Sequence, residues 1–73
     1  MSTEYKLFKS VTAEGKFVLK KVGSSWVWAY FHIKGIWYTP TDKIEYSADR
    51  INEIFLGYEG QDLTEAELFN EML

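Results

Sequence analysis

Cysteine is absent from this 73-residue chain. Its absence excludes disulfide staples, thiolate zinc sites and cysteine nucleophiles, and it fits a reducing compartment. Histidine occurs once, at His32, so no pair of histidines can hold a metal, and nothing in the sequence sets it beside a nucleophile and an orienting acid. The glycines at 15, 23, 35, 57 and 60 have neither the spacing nor the following Lys-Ser/Thr of a phosphate-cradling loop. No apolar run approaches the roughly 18 residues of a membrane span, and the opening MSTEYKLFKS lacks the apolar stretch of a signal peptide. The chain is therefore expected off the membrane and in the cytoplasm, with no cofactor, no metal and no catalytic residues. Repeats and low-complexity segments are also missing.

What is present is apolar and aromatic. With 47% hydrophobic and 26% charged residues, the composition describes one folded domain over residues 1–73. A chain this short buries only about 60–65% of the surface its unfolded form exposes, so its core is thin. Three Trp, five Tyr and five Phe compensate, since each ring can bury roughly 150–250 Å².

The densest aromatic stretch, Trp26 to Tyr38, reads WVWAYFHIKGIWY. β-Branched and aromatic residues bounded by Gly23-Ser24-Ser25 and Lys34-Gly35 predict strands. A tight turn at Lys34-Gly35 would pair Ile33 with Ile36, His32 with Trp37, Phe31 with Tyr38 and Tyr30 with Thr39. Strict alternation then puts Val27, Ala29, Phe31, Ile33, Ile36 and Tyr38 on one face, and Trp26, Trp28, Tyr30, His32, Trp37 and Thr39 on the other. Upstream, Tyr5–Val11 and Lys16–Val22 flank Thr12-Ala13-Glu14-Gly15 as a first hairpin. Pro40, the single proline, lacks an N–H and should end the sheet.

Beyond Pro40 the period becomes helical. Ser47 can cap a helix in which Ala48, Ile51, Ile54, Phe55 and Tyr58 form one stripe, with Gly57 and Gly60 available to end it. Thr64-Glu65-Ala66-Glu67 matches a capping box, Leu63 can staple onto Leu68, and Leu68, Phe69 and Met72 would be the buried side of a second helix. The expected fold class is α+β: a small antiparallel meander of three to four strands, about 4–40, followed by helices at about 48–58 and 65–72. Two such helices can cover one sheet face, and the aliphatic-rich one with Phe31, Ile33 and Ile36 is the natural choice.

Charge is unevenly spread. Seven lysines against three acids leave residues 1–43 at +4, and Arg50 against eight acids leaves residues 44–73 at −7. A basic sheet and acidic helices make an electrically polar molecule suited to a charged partner surface. With Trp28, Tyr30 and Trp37 left open on one face and lysines nearby, the candidate partner-binding residues are Lys6, Phe8, Lys9, Trp28, Tyr30 and Trp37. Lysines interleaved with aromatics also suit single-stranded nucleic acid, where bases stack on rings, although the net charge of −3 opposes a polyanion. Glu67 and Glu71 share a helix side, but acids near a helix start ordinarily complement its dipole.

In its length, its opening MSTEYKLFKS, its aromatic-rich sheet and its acidic tail LTEAELFNEML, the chain resembles the small phage-encoded regulators of host bacterial RNA polymerase, from lytic phages of plant-pathogenic bacteria. The resemblance implies a non-catalytic protein, monomeric when free, that acts in the host cytoplasm. It would bind bacterial RNA polymerase, impair promoter recognition by the sigma-containing enzyme and suppress termination. It assigns no role to a particular residue. The residues alone suit a phage inhibitor of another host machine equally well, such as a CRISPR effector or a restriction enzyme.

Overall fold

The computed structural model describes residues 3–12 and 14–73. Their order is β1 (Tyr5–Ser10), β2 (Lys16–Val22), β3 (Ser25–Ile33), β4 (Ile36–Tyr38), β5 (Glu45–Ser47), α1 (Ile51–Ile54), β6 (Tyr58–Leu63) and α2 (Glu65–Met72). All six strands belong to one antiparallel sheet, with 49% of the described residues in strand and 17% in helix. The α+β expectation of a three- to four-stranded meander followed by two short helices is thereby corrected to a mostly β protein.

Local chemistry explains the hairpins. Lys34 and Gly35 both take positive φ, 53° and 81°, as a two-residue turn matched to strand twist requires. The pairs Phe31/Tyr38, His32/Trp37 and Ile33/Ile36 form as the turn predicts, and β4 ends before a Tyr30/Thr39 pair. Val22 pairs with Ser25 across Gly23-Ser24, where Gly23 has a φ of 62°. In the first hairpin β1 pairs with β2 from Tyr5/Lys20 to Lys9/Lys16; Ala13 of its expected connection lies outside the described residues.

The sheet does not stop at Pro40. After the 39–44 segment, β5 resumes pairing on the same edge of β3 through Trp26/Tyr46. There the Trp28 N–H donates to the Ile44 carbonyl at 3.1 Å. β4 and β5 thus lie end to end along β3.

The expected 48–58 helix shrinks to the single turn α1. Ser47 belongs to β5 rather than capping, and α1 has no side-chain cap. Gly57, at a φ of 91°, turns the chain out of the helix, and the next six residues become β6, paired along β1 from Tyr5/Leu63 to Ser10/Tyr58. YEGQDL has little strand propensity, but β1 carries Leu7 and Phe8 and would otherwise present an open apolar edge. Satisfying that edge overrides local preference. Phe8 faces Gly60, where a Cβ would approach the Phe8 ring to 2.9 Å. The glycine makes room for the ring.

Both faces of the sheet are covered, each in part. On one, here the α1 face, Phe8, Leu19, Trp26, Ile51 and Phe55 form a buried cluster. On the other, the α2 face, Leu7, Val18, Leu63 and Leu68 form a second. The helices go to opposite faces, not to one. α2 starts on its capping box, with the Glu67 N–H donating to Thr64 Oγ1 at 3.2 Å and the Thr64 N–H to Glu67 Oε1 at 3.0 Å. Leu68 is buried and Met72 half-buried as the spacing predicts, whereas Phe69 is 68% exposed.

Candidate functional site

A bulge decides which residues face which way. Val18 pairs with Tyr30 and Leu19 with Trp28, leaving Ala29 as an extra residue in β3. Alternation is broken there. Trp26 and Trp28 therefore share the α1 face with Phe31 and Tyr38, while Ala29, Tyr30, His32 and Trp37 lie on the α2 face. The expected face joining Trp28, Tyr30, His32 and Trp37 does not exist.

On the α1 face the register aligns Phe8, Phe17, Phe31 and Tyr38 in one row across four strands. Phe55 stacks on Phe8 at 4.4 Å between centroids, Trp28 lies 4.9 Å from Phe17, and Phe31 stacks on Tyr38 at 5.2 Å. α1 covers the Phe8 end of this row and leaves the Tyr38 end open. There Ile33, Ile36, Tyr38 and Ile44 are 41%, 54%, 44% and 39% exposed, so the aliphatic residues expected beneath the helices are on the surface. A cleft of about 380 Å³ lies beside them, lined by Trp28, Phe31, Tyr38, Pro40 and Ile44. The bulge and Pro40 sit where β4 gives way to β5, and this break in pairing opens the cleft. Trp28 Nε1 is buried with no hydrogen-bond partner among the described residues, a cost of about 1–3 kcal/mol for an orphaned donor.

The six residues expected to bind a partner do not form one surface. Phe8 is buried in the core. Lys6 is half-buried, its ammonium 5.2 Å from the centre of the Trp26 ring and 3.5 Å from an Asp62 oxygen. Lys9 is exposed on the α2 face, opposite Lys16 and Glu59. Tyr30 and Trp37 are half-buried on that same face, Trp37 against the His32 ring at 4.8 Å. Of the six, Trp28 alone lines the cleft. Phe31, Tyr38, Ile33, Ile36 and Ile44 were missed because an even strand period places Phe31 opposite Trp28; the one hint is small Ala29 among large neighbours.

The charge split also changes meaning. β6 and α2 bring acids back to the lysines of β1 and β2, through Lys6–Asp62 at 3.5 Å and Lys16–Glu71 at 3.2 Å. Lys21 reaches Glu4 at 3.9 Å and stands 5.8 Å from the Trp26 ring centre. The opposite charges of the two sequence halves meet within the fold. Among the described residues no group of three or more His, Cys, Asp or Glu could hold a metal, and no helix is long and apolar enough to cross a membrane.

No protein-family model, curated protein or solved structure significantly matches this chain.

Proposed function

We propose that this chain is a non-catalytic protein-binding domain, a phage regulator that binds bacterial RNA polymerase in the host cytoplasm, inhibits promoter-dependent initiation and suppresses termination. The observation that carries the binding role is the open end of the aromatic row: Ile33, Ile36, Tyr38 and Ile44 exposed together beside a cleft floored by Trp28 and Phe31. Clustered aromatics and aliphatics on a rigid sheet are the composition of an interface centre. The polymerase as partner rests on the sequence resemblance. Single-stranded nucleic acid is disfavoured, because Lys6 and Lys21 are engaged with acids and with Trp26 on one face, while Lys16 is engaged with α2 on the other.

The test is size-exclusion chromatography of the chain with bacterial RNA polymerase, as core and as holoenzyme, alongside promoter-dependent transcription. Co-elution and loss of transcripts, both weakened by Tyr38→Ala, are expected. Separate elution with unchanged transcription removes the polymerase as partner. Tight binding that Tyr38→Ala and Ile36→Lys leave intact removes the cleft as the contact.

A further inference from the structure

We propose that the groove between α2 and strands β1 and β3 binds the ammonium or guanidinium group of a basic side chain supplied by a partner protein. This groove lies on the α2 face, away from the aromatic cleft, and does not depend on the polymerase reading. It encloses about 200 Å³ and is lined by Tyr5, Tyr30, Glu65, Leu68, Phe69 and Met72. Two phenol rings, one carboxylate and apolar walls are the chemistry that holds a cation on an aliphatic stem: the rings attract the charge, the walls take the methylenes and the carboxylate neutralises the head.

Charge fixes the sign of the occupant. α2 carries Glu65, Glu67 and Glu71 and no basic residue. Glu67 is occupied by the Thr64 N–H and Glu71 by Lys16, whereas Glu65 has no ion pair or hydrogen bond among the described residues. Tyr5 titrates above its ordinary 10.0, first because it is partly buried, then because of Glu65 and then Tyr30, so these groups line one shared space. The exposure of Phe69, which helical spacing expects to be buried, leaves one apolar wall open to solvent. Lys20 is the cross-strand neighbour of Tyr5 and is exposed with no ion pair among the described residues. Its own ammonium is the internal competitor.

The full chain, isotope-labelled, would be titrated by NMR with N-acetyl-arginine amide and N-acetyl-lysine amide, and with N-acetyl-norleucine amide as the uncharged match. Saturable shifts of Tyr5, Tyr30 and Met72 with both basic probes are expected, weakened about five-fold or more by Glu65→Gln and unchanged by Glu53→Gln on α1. Lys20→Ala should bind as well as the parent or better. The proposal is overturned if norleucine amide shifts the same signals equally, if no saturable shift occurs at the solubility limit of the basic probes, or if Glu65→Gln binds like the parent in an intact fold. Binding confined to Lys20→Ala would mean that the chain's own lysine fills the groove, which also overturns it.

Discussion

Trp28 and Tyr38 line the same cleft but stand in different energetic positions. The Trp28 indole N–H is buried without an acceptor, so Trp28→Phe removes an unsatisfied donor together with part of a ring. Thermal melts should put this variant within about 1 kcal/mol of the parent, since the two effects oppose. Tyr38 is 44% exposed. Tyr38→Ala should leave the melt nearly unchanged and cost about 2 kcal/mol or more in binding of the proposed polymerase partner, measured by titration calorimetry. A Tyr38→Ala variant that unfolds instead would make Tyr38 a core residue. Gly60 is a third kind of position: it has room for hydrogen and none for a methyl group, because a Cβ would stand 2.9 Å from a Phe8 ring that is itself stacked on Phe55. Gly60→Ala should lower stability by about 1–3 kcal/mol in urea denaturation, as overpacking does, and Phe8→Leu should partly relieve the loss.

Elements were legible in the sequence where a short-range rule determined them. The Lys34-Gly35 hairpin, its three-pair register and the Thr64 capping box follow from residues within a few positions of one another. The 48–58 helix did not form because its stripe, Ile51 and Phe55 included, fits equally well as one turn crossing a sheet face, and residues 58–63 were claimed by the edge of β1, some fifty positions away in sequence. Phe69 failed for a related reason: only one flank of α2 meets the sheet. The cleft was half legible, its aromatics visible in composition but its face hidden by the Ala29 bulge. Where the local rule holds, its energetic weight can be measured. Thr64→Ala removes the capping bond to Glu67 and should cost about 1 kcal/mol by chemical denaturation, with binding at the cleft on the opposite face unaffected. A loss of cleft binding at full helix content would show that the two faces are coupled.

For the whole molecule, the return of β6 to β1 places the acidic half of the chain against the basic half, so stability should respond to pH through groups at that junction. Tyr5, which pairs with Leu63 and lies near Glu65, has its hydroxyl pushed above its ordinary 10.0 by burial and then by charge. The folded state therefore holds the phenol proton more tightly than the unfolded chain. Its contribution is complete below the unfolded value and is lost as pH rises through the higher folded value. Unfolding midpoints should fall in that alkaline range, and Tyr5→Phe should flatten the fall; an unchanged slope would assign the loss to other groups. The bulge at Ala29 has a different consequence, one for heredity. Ala29 and Tyr30 lie on the same face, so loss of the single codon for Ala29 leaves Trp26 and Trp28, and Phe31 and His32, on the faces they occupy now. Loss of the codon for Phe31 or for His32 instead exchanges the faces of whatever follows it in β3. Position 29 is where this strand can change length by descent and keep its chemistry, and a folded Ala29-deletion variant that still fills the cleft would show it.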